Sequence, residues 1–463
     1  MAKKLWGGRF TKKIDPDFFE FQKSIQYDYK LARYDIMHSL IHINALSKSG
    51  EILKAGEKER LESVLSKVGK EIAEEIKNEQ FKPKDSEDIH TEIQNRVEKK
   101  LGPKYSSLAL KLHTLRSRND QIAFDLRLYL ADKSLGINTL LFKLISELLC
   151  STVASLKKKE EFVGYTHTQR AQIIYFADYL EAYAEMLGRD ASRIEKFEDS
   201  LFIYIGAGAL TGSSLDRSDY NAAIKEYMKK YSEIRKIKPP DNPLDNVSDR
   251  DFIVEFLSIL SIMQMHFSRL AEDLILYSTK EFNLIDLPEE FCTGSSLMPH
   301  KKNPDLLELI RGNTGKIYGN LMSILTIMKG LPLTYNRDMQ LDKEPLFSSV
   351  ETIEAELKLL TKFISKVKVN NKGVDAIKED VSLYATEFAE ELVMKQGLPF
   401  KVAHDIVGRF IILLEKNKGK IENIEDKELE QKCPGLTKKM IKRIMKPGYV
   451  VSSRKTFVRK IKK

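Results

Sequence analysis

One stretch limits the fold of this chain more than any other. Between Arg250 and Phe282 it reads as a single helix in which Phe252, Ile253, Val254, Phe256, Leu257, Ile259, Leu260, Ile262 and Met263 are apolar nearly all the way round. A helix without a polar face has to be covered on several sides. The stretches Gln121–Cys150, Arg170–Ser200, Pro304–Lys329 and Pro345–Val367 share the same helical, apolar texture. A helix of about 30 residues is about 45 Å long, more than a small domain is wide. Five of them predict one elongated bundle, and their surplus apolar surface predicts further copies of the chain packed against it.

The remainder also predicts helix. Fourteen prolines and 23 glycines are spread over 463 residues, and alternating β-branched residues are scarce. Up to about residue 112 the pattern gives modest amphipathic helices at Tyr29–Ser49, Glu57–Asn78 and Glu87–Lys100, the last stopped by Gly102 and Pro103. The last hundred or so residues return to shorter helices such as Thr386–Lys395 and Lys401–Lys416. The expected architecture is mainly α, in three parts: an N-terminal helical domain (1–112), a central long-helix bundle (113–365) and a C-terminal helical cap (366–463).

Composition narrows the function classes. With 42% hydrophobic residues the chain can bury a large core without staples. Cys150, Cys292 and Cys433 are odd in number and lack metal-like spacing, which argues against a disulfide framework or zinc site and for a reducing cytoplasm. The amino terminus has charge but no apolar run behind it, and no stretch of about 18 uninterrupted apolar residues occurs, so neither a signal peptide nor a membrane partner is expected. The net charge of +9 comes from 76 basic and 67 acidic residues that are interspersed, which reads as a solvated surface and not as a nucleic-acid interface. The basic run from Lys455 to Lys463 reads as a helix end or tail.

Polar constellations break into this apolar texture. Thr293 to Asp305 is a loop by composition, with Gly294, Ser295, Ser296 and Pro299 ahead of His300, Lys301, Lys302 and Asn303. Pro304 suits the first position of a new helix, with Asn303 as its cap and Asp305 and Glu308 on the positive end of its dipole. Residue types alone leave two readings, an ordinary capped loop or a kit for moving a proton beside a carboxylate, in which a hydroxyl exchanges the proton and cations hold the developing charge. His113 to Gln121 places Arg116, Arg118 and Asn119 at a helix amino terminus, a cradle for carboxylate or phosphate unless Asn119 or Asp120 merely caps the helix and the arginines are solvated. Gly164 to Gln172 contains Thr166 and Gln169 at capping-box spacing and His167, an imidazole suited to general acid or base work at the mouth of a helix. Tyr335 to Lys343 is a polar loop between two long helices.

Together these stretches resemble the argininosuccinate lyase family of the fumarase/aspartase superfamily. The resemblance rests on Ser295-Ser296-Leu297-Met298-Pro299-His300-Lys301-Lys302-Asn303, Lys4-Leu5-Trp6-Gly7-Gly8-Arg9-Phe10, Arg116-Ser117-Arg118-Asn119-Asp120-Gln121, Gly164-Tyr165-Thr166-His167 with Gln169-Arg170-Ala171-Gln172, Val247-Ser248-Asp249-Arg250-Asp251-Phe252, and Tyr335-Asn336 with Asp338. It implies an all-α homotetramer with active sites shared between subunits, and reversible β-elimination of argininosuccinate to arginine and fumarate in arginine biosynthesis, without metal or organic cofactor. By the same resemblance Ser295 takes the Cβ proton, and Lys301 with Asn303 binds substrate and stabilises the aci-carboxylate. His167 serves proton transfer to the leaving nitrogen, with Glu308 as its polarising partner. Ser24, Arg118, Asn119, Thr166, Tyr335, Gln340 and Lys343 match substrate-binding positions, and His90 lies in a further active-site stretch. Which of Ser295 and His167 is base and which is acid stays open. The chain departs from the family at Leu115 (usually glycine), Thr168 (leucine), Ile173 (proline) and His300 (glutamine, although histidine occurs in adenylosuccinate lyases). Alternatives are adenylosuccinate lyase or another fumarate-releasing lyase, or a non-catalytic crystallin-like protein on the same scaffold.

Overall fold

The computed structural model describes residues 12–83, 86–231 and 236–456. The Lys4–Phe10 motif, and the basic tail beyond Thr456, lie outside the described residues. The principal elements are α1 (Ala32–Lys48), α2 (Ala55–Lys77), α3 (Ile89–Leu101), α4 (Arg118–Lys158), a hairpin of β1 (Glu161–Thr166) and β2 (Gln169–Tyr175), α5 (Phe176–Ser200), α6 (Asp251–Ser278), α7 (Asp305–Met328), α8 (Lys343–Ile364), α9 (Ala385–Gln396) and α10 (Phe400–Lys416). The chain is mainly α, with strands confined to short two-stranded pairings among the described residues.

The five long helices form where apolar texture requires them. On α6, Ile253, Phe256, Leu257, Leu260, Met263 and Phe267 are buried, and each such side chain contributes about 1.5–3 kcal/mol when removed from water. Contacts divide the chain into two compact units. The first comprises Met1–Thr139, Ser192–Ser261 and Gly315–Ile353, the second Leu140–Ala191, Ile262–Thr314 and Glu354–Lys463. Each of α4 to α8 contributes part of its length to each unit.

The helix α4 is 41 residues long, and its most apolar 18-residue window has a mean hydropathy of 1.5 with only 28% of it buried. By length and composition alone it could cross a bilayer, but Lys143 and Glu147 interrupt the apolar run. Leu135, Phe142 and Leu149 recur every seven residues along it and are 50%, 49% and 37% exposed, the spacing of an apolar seam that meets another helix.

Three local expectations are corrected. The stretch Arg170–Ser200 is not one helix, because Gln169–Tyr175 pairs antiparallel with Glu161–Thr166 and helix begins only at Phe176. Thr166 and Gln169 therefore form the last pair of a hairpin and no capping box. The two residues between them, His167 and Thr168, have φ of 54° and 57°, the left-handed pair that a tight two-residue hairpin turn requires. Pro304 precedes α7 instead of opening it, its carbonyl accepting from Leu307 and Glu308 N–H at 2.9 and 3.1 Å, and Asn303 directs its amide to Gly294 O at 3.4 Å instead of capping.

Candidate active site

In the first unit, helix ends gather most of the expected binding residues. Asp88 caps α3, its Oδ1 accepting from Thr91 N–H at 2.7 Å, while its other oxygen lies 3.3 Å from Arg118 Nε. Burial alone would raise this carboxyl, but the charges of Arg118 and His90 and the Thr91 hydrogen bonds hold it below the usual range. Arg118 also donates to Gln121 Oε1 at 2.8 Å and to Thr91 Oγ1 at 3.3 Å. Arg116 reaches Ser39 Oγ at 3.0 Å. The arginines are thus held in place and only partly exposed. Neither Asn119 nor Asp120 caps α4: Ser117 Oγ accepts from Asn119 N–H at 3.2 Å, and Asp120, buried, accepts from Gly206 N–H at 3.1 Å. Burial pushes Asp120 up to about 6.

Ser24 is buried and donates to Asp28 Oδ2 at 2.6 Å, and Asp28 Oδ1 accepts from Ile89 N–H at 3.0 Å. Burial, aided by the Asp88 charge, pushes Asp28 up to about 6, against the opposing pull of His90, Ser24 and Lys343. The segment preceding α8 arrives at the same place. Gln340 donates to Gln22 O at 2.8 Å and Arg337 pairs with Glu87 at 2.7 Å. Burial raises the Tyr335 hydroxyl. Lys343, fully buried, donates to Asp342 Oδ1 at 3.0 Å, and the other oxygen of Asp342 takes Arg250 Nε at 2.7 Å. Anion-binding cations and buried carboxylates therefore alternate, which suits a ligand carrying both signs of charge.

His90 lies behind this surface. Its ring is buried, 3.4 Å from Asp35 and 3.6 Å from Asp125, and His38 lies 3.9 Å from Asp125. Ligand atoms of Asp35, His90 and Asp125 gather within 4.8 Å of one another, close enough to hold a metal ion. The charge of Arg116 already faces both carboxylates. His90 is only 3% exposed, and its charge bears on both Asp88 and Asp28.

The second unit holds the remaining expected site residues. Thr293 and Asn303 face each other as an antiparallel bridge, with N–H to O distances of 3.1 and 2.7 Å, and pinch the ends of the loop. Thr293 also hydrogen-bonds Asp305. Within the loop Ser295 Oγ accepts from the N–H groups of Leu297 at 3.2 Å and Met298 at 3.0 Å. Leu297 is 84% exposed and Lys301 is exposed beside it. Lys302 is tied to Leu287 O at 2.5 Å, which separates its task from that of Lys301. Thr166 and His167 stand exposed at the hairpin tip, and Glu308 is exposed on the first turn of α7. Among the described residues His167 and Glu308 are not hydrogen-bonded to each other.

Ser24, Arg118, Asn119, Tyr335, Gln340 and Lys343 thus belong to one unit, and Thr166, His167, Ser295, Lys301, Asn303 and Glu308 to the other. Sequence reasoning missed Asp28, Asp88 and Asp342 and gave Arg250 no role. Asp88 was detectable as a capping residue ahead of an apolar run. Nothing local signals the Arg250–Asp342 pair, whose members are 92 residues apart.

Comparison with known proteins finds relatives along most of the chain. A family model described as lyase matches residues 8–319, and one described as argininosuccinate lyase C-terminal matches 382–452. A protein of Caldanaerobacter subterraneus named argininosuccinate lyase is 42% identical over 460 residues, covering 98% of this chain and 100% of the relative. One from Legionella pneumophila with the same name is 45% identical over 414 residues, covering 89% and 96%. Among solved structures, EDDS lyase in complex with formate matches with a TM-score of 0.77 at 23% identity, covering 96% of this chain and 86% of that one. A class II fumarase from Schistosoma mansoni matches with a TM-score of 0.70 at 17% identity, covering 90% of each. These two structural likenesses speak to the fold alone.

Proposed function

This chain belongs to the argininosuccinate lyase family, and on that footing we propose that it catalyses the reversible β-elimination of argininosuccinate to L-arginine and fumarate. The observation that carries the mechanism is the pair of N–H donors on Ser295 Oγ. A serine hydroxyl is a poor base because its alkoxide is unstable in water. Two backbone N–H groups aimed at that oxygen stabilise the anion, and exclusion of water by loop closure strengthens both bonds.

Ser295 then takes the proton from Cβ, beside a carboxylate. The negative charge moves onto that carboxylate as an aci-carboxylate, where Lys301 and Asn303 meet it in the transition state. As the C–N bond breaks, His167 gives a proton to the leaving nitrogen, with Glu308 polarising the imidazole. The reverse reaction exchanges the roles of acid and base. Arg118, Asn119, Thr166, Gln340, Tyr335 and Lys343 hold the carboxylates of the substrate, and Asp28 and Asp88 supply negative charge for its guanidinium. Ser24 and His90 act behind them, through Asp28 and Asp88. Each step uses side chains and backbone N–H groups of the protein and calls on no metal or organic cofactor.

The working form is a homotetramer, with each site drawn from three copies. Support comes from the exposed seam of Leu135, Phe142 and Leu149 and from the exposure of His167, Lys301 and Leu297 in the single chain. The three-part division at 112 and 365 is retained, consistent with a C-terminal family model confined to 382–452. The free cysteines suit the cytoplasm, and neither a nucleic-acid nor a membrane partner is needed.

Purified protein mixed with argininosuccinate should release fumarate, followed by its ultraviolet absorbance. A rate no higher than that of a Ser295→Ala control overturns the assignment. Adenylosuccinate and other fumarate-releasing substrates tested in parallel decide between this reading and its relatives, and turnover of any of them excludes a purely structural protein.

A further inference from the structure

The hairpin that carries His167 at its tip is gripped at its other end by the C-terminal segment, and the grip centres on one buried carboxylate. Glu387, on the first turn of α9, is only 4% exposed. One of its oxygens accepts from Gln172 Nε2, on β2, at 3.2 Å. The same oxygen pairs with Arg454, whose guanidinium also holds Glu390 at 2.7 Å. Gln172 lies opposite Gly164 in the hairpin, where the register shifts between Gly164 and Tyr165, so the contact falls beside the irregularity that aims the tip. A second clasp reinforces the first. Glu161, the first residue of β1, pairs with Lys378 at 2.5 Å and accepts from Gly448 N–H at 2.5 Å. Between them, residues 378, 387, 448 and 454 hold both strands.

We propose that Glu387 and Arg454 are positioning residues for His167, setting the orientation of the hairpin through Gln172. The inference rests on the elimination mechanism above for its catalytic readout. A neutral Gln172–Glu387 hydrogen bond would be interchangeable with many others. The buried carboxylate is not, because without Arg454 it would sit dehydrated beside Glu390 with no cation to balance it. Arg454 therefore keeps Glu387 charged and in place, and Glu387 keeps the strand in place. Arg454 stands immediately before the basic run that begins at Lys455. None of these groups belongs to the unit that holds Arg118, Gln340 and Lys343, so disturbing them should leave those contacts in place and move only Thr166 together with His167.

The test compares full-length Glu387→Gln, Arg454→Gln and Arg454→Lys with the unaltered enzyme, using argininosuccinate turnover and hydrogen exchange of the peptide covering 161–175. Both Gln variants should lower kcat by roughly tenfold to a hundredfold, as expected for a misplaced proton donor, with a smaller rise in KM through Thr166, and should speed exchange in the hairpin relative to α6. Arg454→Lys should recover part of both signals. Unchanged hairpin exchange, or a fall in kcat no larger than the loss of folded protein, overturns the proposal. Exchange needs no turnover, so an inactive parent enzyme would sink the proposed reaction while the positioning claim is still decided.

Discussion

Arg250 Nε donates to Asp342 Oδ2 at 2.7 Å with both side chains essentially inaccessible to solvent. The other oxygen of Asp342 holds Lys343 Nζ at 3.0 Å, again fully buried. One carboxylate thus balances two cations, one of them a residue expected to bind substrate. An ion pair of this kind is costly to break by halves, since the surviving charges have no water to fall back on.

Replacement of Asp342 by Asn should therefore destabilise the protein by about 3–5 kcal/mol, measured as a shift in denaturant midpoint at constant slope. A loss below about 1 kcal/mol would mean that solvent reaches Arg250 and Lys343 after all.

Leu115 stands where the family usually has glycine, and the structure gives the reason for the usual choice: its φ is 57°. A leucine in the left-handed region is strained by about 1–2 kcal/mol, partly offset by the greater chain entropy a glycine would lose on folding. With the side chain 39% exposed, little burial is at stake. Leu115→Gly should raise stability by about 0.5–1 kcal/mol, visible as a higher melting temperature. A lower one refutes the strain argument.

Burial lifts the Asp120 carboxyl from 3.8 to about 6. The folded state accordingly holds a proton that the unfolded chain has released between those values, and the stability this gives is lost as pH rises through about 6. A rise of that size corresponds to about 3 kcal/mol. Asp120→Asn cannot titrate and keeps an oxygen for Gly206 N–H. Its stability relative to the parent should climb between pH 4 and pH 7, and a difference that stays flat over that range refutes the assignment.

A charge at the centre of the exposed α4 seam should block assembly. On the proposed tetramer, Phe142→Glu is expected to shift the mass in solution from four chains to a smaller species and to abolish turnover, because the proposed shared sites cannot form. Full activity in a monomeric variant would refute shared sites.

Much of the site was readable from sequence because its parts are short, contiguous motifs. The Ser295–Asn303 loop, the Arg116–Gln121 segment and the hairpin residues each announce themselves through residue types that serve no core. What they do was less legible. Thr166 and Gln169 fit a capping box as well as they fit the closing pair of a hairpin, and only the pairing of Phe162 with Ile174 and Val163 with Ile173 resolved it. Asn303 looked like a cap until its amide proved to close the loop on Gly294.

The sequence by itself determined the helical class, the five long apolar helices and the polar segments between them, since amphipathicity and helix punctuation are properties of neighbouring residues. Only the tertiary structure decided that Asp342 neutralises Arg250, that Asp28 and Asp88 stand under the binding residues, and that Glu387 and Arg454 hold the strand leading to His167. Those partners are separated by tens to hundreds of residues, and their pairing depends on the path of the backbone and the loss of water between them. No local pattern encodes either.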